Sequence, residues 1–350
     1  MIGAGAWGTA LAIQAVRAGN RVTLWARDPA RAAVLAATRE NPRLPGVTLP
    51  DAIEVVSELS PCPNEVSGLG KLVRDPPSSL IRFAAQAPSR GEGERDAPTV
   101  ILLAVPMQHL RGVLTRLPRS TSPLVVCAKG VEAATHRLPL ELTAELHPTT
   151  PAVVLTGPNF AHEIAAGLPA ASVVAGTDAA LRATVINSLA TSSFRLYGND
   201  DPVGAQVGGA AKNVIAIATG TVIGAGLGEN ARAALITRGL AELSRLAVAL
   251  GGRPETVSGL SGLGDLLLTC TGRSSRNYSL GLALGRGEAL ADILAARNSV
   301  TEGVATAPAL VARAAAVDMP ICAAVAAVVQ GRTSLRAAME TLLARPRRDE

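Results

Sequence analysis

Two lysines stand where chemistry on a carbonyl oxygen could be served. Lys212 lies within GAQVGGAAKNVIAIATG. The residues three and four positions away on either side, Gly208, Gly209, Ile215 and Ala216, are small or apolar and at helical spacing share its face. Burial there disfavours the ammonium and lowers its pKa, which suits a lysine that gives a proton to an oxygen gaining negative charge during hydride transfer. The same pattern fits a lysine that snorkels to water from an amphipathic helix. Lys129 follows the apolar VVCA and precedes a glycine, a position from which a cation reaches a bound phosphate or carbonyl, and one that an ordinary surface charge also occupies.

Other donors and acceptors cluster in the same half as Lys212. Asp265 sits between glycines and an apolar run in SGLSGLGDLLLTC, placed to cap a helix or to orient a lysine. TGRSSRN brings Arg273, Ser274, Ser275, Arg276 and Asn277 together after Gly272, a concentration of donors suited to a phosphate at a helix start.

At the other end of the chain, MIGAGAWGTALA contains Gly3, Gly5 and Gly8 in the spacing G-x-G-x-x-G. Such a turn lets the backbone approach a pyrophosphate and pack the following helix, whose N-terminus faces the anion. The motif is weak alone, but a helix-compatible run, Thr9 to Ala18, and the strand-like RVTLW follow at the spacing of a β-α-β unit. After that strand comes Arg27 and only then Asp28. An acid in this place binds the ribose hydroxyls of NAD, whereas a guanidinium matches the 2′-phosphate of NADP. The reading is therefore NADP(H) preferred, with NAD(H) also accepted and no metal.

These residues need elements to hold them. Short apolar runs, RVTLW (21–25), TVILLAV (99–105), PLVVCAK (123–129), AVVLTG (152–157) and ASVVAG (171–176), alternate with helical stretches, as in a parallel sheet buried on both faces. The glycine turn, Arg27, Pro106, Lys129 and the GPNFAHE segment from Gly157 all stand at carboxyl ends of these runs, where ligands of open α/β sheets bind. From about Pro202 the pattern changes to long Ala/Leu-rich helical segments, 203–223, 230–250 and 305–317. The expected architecture is α/β plus all-α: a doubly wound Rossmann-type domain over 1–200 and an all-helical substrate domain over 201–345, divided at YGNDDP. Residues 60–98, dense in Pro, Ser, Gly and charge, read as a mobile surface insertion. Only Met1 and Ile2 precede the glycine turn, which normally hangs from a strand of about five residues; the expectation is that the rest of that strand is encoded upstream of Met1.

Composition narrows the function classes. The 350 residues are 48% hydrophobic and 17% charged with a net charge of +5, and no uninterrupted apolar run is long enough to span a bilayer. Aromatics are 2% and interleave with no basic stripe, which argues against nucleic acid; an anionic small substrate or cofactor accounts for the sign. Cys62, Cys127, Cys270 and Cys322 form no C-x-x-C pair, and His109, His136, His147 and His162 show no metal spacing. Reduced thiols and the absence of a secretory start point to the cytoplasm.

The chain resembles bacterial NAD(P)-dependent glycerol-3-phosphate dehydrogenase through GAGAWGTALA, NPRLPG, AVP, AKGVE, GPNFAHEIAAG, GGAAKNVIAIATG, NARAALITRGLAELSRL, GLSGLGDLLLTC, SRNYSLG and VTEGVATA, in the family's order. The resemblance implies reversible hydride transfer between NAD(P)H and dihydroxyacetone phosphate, giving sn-glycerol 3-phosphate for phospholipid synthesis, and a homodimer. It implies that Lys212 is the proton donor and acceptor and that Lys129 touches both cofactor and substrate. Gly157, Asn159, Asp265, Ser275, Arg276 and Asn277 would then hold the substrate, and Gly3, Gly5, Ala6, Trp7, Gly8, Arg27, Ala161, Arg276, Val300 and Glu302 the cofactor. The family commonly has Ser where Asn159 stands, and NPRLPG lacks a tyrosine. Two alternatives compete: a hydroxyacid or ketopantoate-type dehydrogenase of the same plan, opposed by the phosphate-suited SSRN, and a non-catalytic dinucleotide-binding protein.

Overall fold

The computed structural model describes residues 1–59, 99–272, 274–297, 300–315 and 317–346. The expected mobile insertion at 60–98, with Cys62, and the side chain of Arg273 lie outside the described residues.

The first half is a sheet with helical crossovers. Its strands are β1 (Val22–Trp25), β2 (Ile53–Val56), β3 (Ile101–Leu103), β4 (Leu124–Val126), β5 (Ala152–Thr156), β6 (Ala170–Ala175) and β7 (Phe194–Asn199). The helices are α1 (Ala6–Arg17), α2 (Pro29–Thr38), α3 (Met107–Leu114), α4 (Pro139–Leu146), α5 (Ala161–Ala166) and α6 (Ala179–Leu189). β1 pairs with β2, and β3 to β7 pair in sequence order. The Val, Ile and Leu of β1, β3 and β4 are wholly buried, as a strand covered on both faces requires.

Met1 and Ile2 join the two groups of strands. Ile2 bridges Trp25 and Leu103 in parallel. Trp25 N donates to Met1 O at 2.8 Å, Gly3 N to Trp25 O at 3.1 Å, Ile2 N to Leu102 O at 2.8 Å and Ala104 N to Ile2 O at 2.8 Å. Two residues thus do the pairing of the central strand that carries the glycine turn, and both are fully buried.

The all-parallel expectation needs one correction. β6 runs antiparallel to β5, with Val154 opposite Ala175, and β7 then runs parallel to β6. The link from β5 to β6 is short because α5 has only six residues and ends at Gly167 in the left-handed region (φ 77°); a parallel return needs a longer crossover. β2 and β7 carry fewer apolar residues and escape a search for continuous apolar runs.

The second half is helical: α7 (Pro202–Gly224), α8 (Gly228–Ala249), α9 (Pro254–Ser258), a π-helical turn (Leu260–Gly264), α10 (Asp265–Thr271), α11 (Arg276–Gly285), α12 (Leu290–Ala295), α13 (Glu302–Ala314), α14 (Pro320–Val329) and α15 (Leu335–Leu343). α7 is the axis, packed by α8, α10, α11, α13 and α14. It is long and apolar enough to cross a bilayer by length and composition, yet 83% of its apolar window is buried inside the protein, which makes it a core helix.

Small residues set how close its neighbours come. A Cβ on Gly220 or Gly224 would fall 2.1 or 2.2 Å from the carbonyls of Tyr278 and Leu282, and one on Gly281 or Gly285 of α11 would fall equally close to those of Ile217 and Thr221. The two backbones touch through these paired glycines, which presents the first turn of α11 to the middle of α7. A Cβ on Gly208 would lie 2.6 Å from Ser261 O, so the π-helical turn leans on α7 in the same way and delivers Asp265 beside Lys212.

Candidate active site

The glycine turn lies between the central pairing residues and α1. Gly3 has φ +110°, and a Cβ there would sit 2.5 Å from Ala104 O; one on Gly8 would sit 1.8 Å from Gly3 O. At Gly5 an added Cβ would meet nothing within 4 Å. Gly5 is the N-cap of α1, no side chain caps that end, and the first turn holds no acid. Free N–H groups, a helix dipole and open space together fit a dinucleotide pyrophosphate. Ala6 and Trp7 open the helix, both half-buried.

Sequence spacing did not disclose how this turn is braced. Arg31 Nη2 donates to Ala4 O at 2.6 Å and to Asn41 Oδ1 at 3.1 Å, and Asn41 Nδ2 donates to Thr9 Oγ1 at 2.6 Å. NPRLPG is therefore partly a clamp on the turn. Asn41 also turns NPRLPG itself, its Oδ1 accepting from Arg43 N at 3.1 Å, so the local role conceals the distant one. Arg27 is exposed just beyond β1, while Asp28 is committed to capping α2 through Ala30 N at 3.0 Å.

Beyond the end of β4, one carboxylate holds both lysines. Asp265 is 1% exposed. Its Oδ2 accepts from Lys129 Nζ at 2.5 Å and its Oδ1 accepts from Lys212 Nζ. Lys129 also donates to Gly157 O at 3.0 Å, and Lys212 to Thr269 Oγ1 at 3.1 Å. Lys212 is 7% exposed, so its ammonium does not snorkel to water. Burial pulls its pKa down to about 8, the charge of Asp265 works against that shift, and the neighbouring Lys129 adds to it. The capping role open to Asp265 is set aside, since its oxygens face the two lysines. Thr269, four residues on and thus on the same helix face, was missed.

The remaining residues surround this ion cluster unevenly. Ser275 caps α11, its Oγ accepting from Tyr278 N at 3.2 Å, which leaves the hydroxyl proton to donate. Asn277 is largely committed to structure: Nδ2 donates to Asn213 Oδ1 at 2.9 Å and Oδ1 accepts from Gly303 N at 3.0 Å. Arg276 is exposed at the first position of α11, and its charge reaches Glu302. Asn159 is half-buried; its Nδ2 donates to Gly157 O at 3.3 Å and to Ser172 Oγ, while its Oδ1 has no partner.

Glu302 links the two halves, its Oε1 accepting from Met107 N at 3.2 Å at the start of α3. Burial raises its pKa, against the pull of that N–H and of Arg276, Lys212 and Lys129. Ala161 opens α5 and Val300 is exposed before α13. Cys127, Cys270 and Cys322 are free and buried, and burial pushes the Cys127 and Cys270 thiols up to about 12, which leaves them inert.

A glycine turn with an uncapped helix start and a lysine pair on one buried carboxylate therefore stand at the carboxyl ends of the strands. Two family models match this chain: the N-terminal part of NAD-dependent glycerol-3-phosphate dehydrogenase over residues 1–73 and 93–182, and its C-terminal part over residues 201–340. The chain belongs to that family.

Relatives of the family agree over the full length. The glycerol-3-phosphate dehydrogenase (NAD(P)+) of Acidiphilium cryptum is 54% identical over 352 residues, covering 100% of this chain and 97% of the relative. That of Gluconobacter oxydans is 48% identical, covering 99% and 96%. A crystal structure of glycerol-3-phosphate dehydrogenase from Coxiella burnetii, 34% identical, superposes with a TM-score of 0.84 over 98% of each chain. The Rossmann-type sheet with a helical second half is thus the family's own fold.

Proposed function

We propose that the protein interconverts dihydroxyacetone phosphate and sn-glycerol 3-phosphate, with Lys212 moving the proton at the substrate's C2 oxygen. The observation that carries this reading is the buried Asp265 carboxylate held by both Lys212 and Lys129, in a chain of this family. The nicotinamide, when bound, supplies the hydride in one direction and takes it in the other.

The side chains divide the remaining work. A lysine with a pKa near 8 is mostly protonated at neutral pH and donates readily to an oxygen that is becoming an alkoxide. Asp265 keeps that ammonium aimed, and Lys129 adds a second positive charge where the oxyanion develops. Gly157 and Asn159 form the turn against which the substrate rests. Ser275 and Arg276 supply donors for the phosphate, and Asn277 fixes the first turn of α11 on which they ride.

Gly3, Gly5, Ala6, Trp7 and Gly8 take the cofactor pyrophosphate, Ala161, Val300 and Glu302 the nicotinamide end, and Arg27 the adenosine 2′-phosphate, which gives the preference for NADPH. The same reading divides the chain into a dinucleotide domain through residue 200 and a substrate domain from 201. It places the protein in the cytoplasm as a homodimer that supplies glycerol phosphate for phospholipid synthesis. The test is NADPH oxidation on adding dihydroxyacetone phosphate, set beside 3-hydroxyacid and ketopantoate-like substrates. Turnover with the phosphate ester alone is expected. Arg27→Ser is expected to lower the NADPH to NADH preference by about tenfold; an unchanged ratio would remove Arg27 from the 2′-phosphate.

A further inference from the structure

Beyond the residues placed above, an arginine in the helical half spends its hydrogen bonds on neutral acceptors. Arg297 follows the end of α12 and reaches back to α11. Its Nη1 donates to the carbonyl of Arg276 at 2.8 Å and its Nη2 to Ser279 Oγ at 3.1 Å. These acceptors are three residues apart, on one face of the first turn of α11, so the planar fork pins that turn at two points. Neither acceptor carries charge. No described carboxylate forms an ion pair with Arg297 or with Arg276, although many other arginines, among them Arg111, Arg253, Arg313 and Arg345, have such partners.

We infer that Arg297 is a positioning residue for the phosphate end of the substrate, fixing the turn that carries Ser275 and Arg276 and adding a second guanidinium charge behind Arg276. The inference rests on the proposed reading, in which Arg276 meets the phosphate. Arg297 is half-buried, and desolvation, joined by the positive charge of Arg276, weakens its hold on the proton against the attraction of Glu288. A guanidinium is thus fixed by two hydrogen bonds on the first turn of a ten-residue helix whose capping serine keeps a proton to donate. A dianion arriving there meets a positive charge that a plain structural staple between α12 and α11 would not need.

Arg297→Gln and Arg297→Lys separate the charge from the fork. With Arg297→Gln the KM for dihydroxyacetone phosphate and the inhibition constant of inorganic phosphate are expected to rise by about tenfold, while kcat and the KM for NADPH stay within about twofold. Arg297→Lys keeps the charge without the fork, and a rise of about threefold is expected. If both variants leave the two phosphate-dependent constants unchanged, Arg297 has no part in phosphate binding. If KM rises alike for both substrates as the melting temperature falls, it is a staple only. Should the unaltered protein fail to reduce dihydroxyacetone phosphate, the proposed reading falls. Calorimetric titration of inorganic phosphate into the unaltered and Arg297→Gln proteins still decides the role of Arg297, since equal affinities would overturn it.

Discussion

The glycine turn and the lysine pair differ in what they are made of. The turn is backbone: its groups are N–H donors at the start of α1, and its residues fall within six positions of one another. The lysine pair is side chain, and Lys129, Gly157, Lys212, Asp265 and Thr269 come from four separate elements and the loops between them. A backbone site needs little beyond the absence of side chains at chosen points. A side-chain site needs burial, because only a dry setting lets one carboxylate fix two ammonium groups and lets desolvation tune one of them.

Removing the tuned lysine should have the largest effect. Lys212→Met is expected to lower turnover in both directions by about 10²- to 10⁴-fold while leaving NADPH affinity, measured by calorimetry, within about threefold. Asp265 keeps Lys129 at 2.5 Å, so the variant leaves no orphaned carboxylate, and no loss of melting temperature is expected. The pH dependence follows from the same lysine. Reduction needs the ammonium, so kcat/KM for dihydroxyacetone phosphate should fall as pH rises through about 8, and oxidation of glycerol phosphate should rise over that range.

Stability moves the opposite way to reduction. The folded-state pKa of about 8 lies below the ordinary 10.5, so between those values the unfolded chain binds more protons and this lysine's contribution to stability improves with rising pH. A reduction profile that ignores pH 8, or that survives unchanged in Lys212→Met, would take the proton away from Lys212.

Two glycines of the turn differ in what an added methyl would meet. At Gly8 an added Cβ would be 1.8 Å from Gly3 O, and nothing short of opening the turn relieves it. Gly8→Ala should cost about 1–3 kcal/mol of stability and abolish NADPH binding. At Gly5 the same methyl meets no protein atom within 4 Å, so thermal melting should be unchanged. The methyl would instead occupy the space of the pyrophosphate and weaken NADPH by about 10- to 100-fold. Equal loss of stability in the two variants would mean that the open space at Gly5 is not a ligand site.

How much of this was legible in the sequence follows from the same contrast. The turn could be read from the spacing of Gly3, Gly5 and Gly8, because backbone geometry is local. Lys212 could be singled out only by the small and apolar residues at helical distance from it, and its partner was invisible until α10 and the π-helical turn packed on α7. Asp265 was therefore left open between cap and lysine partner, and Thr269 went unnoticed. The antiparallel β6 was hidden for a related reason: ASVVAG reads as a strand, but direction is set by how few residues separate it from β5. Arg31 and Asn41 escaped because hydrogen bonds to the Ala4 carbonyl, 27 and 37 residues away, leave no pattern in composition.

The smallest effect tests whether the two halves are as independent as their construction suggests. Asp201 stands where the sheet gives way to α7, its Oδ1 accepting from Gly204 N and its Oδ2 from Arg253 N, both at 2.8 Å. It caps the helix that carries Lys212 three turns further on, yet the cluster around Lys212 is held by α10 and by Lys129 rather than by the start of α7. Asp201→Ala should remove about 1–2 kcal/mol and lower the melting temperature by roughly 2–4 °C for each kcal/mol lost, with kcat and both KM values unchanged well below melting. Asp201→Asn, which keeps an acceptor for one of the two N–H groups, should lose about half as much. If kcat fell more than about twofold while the protein remained folded, the aim of Lys212 would depend on the anchoring of its helix, and the side-chain site would extend to the boundary with the sheet.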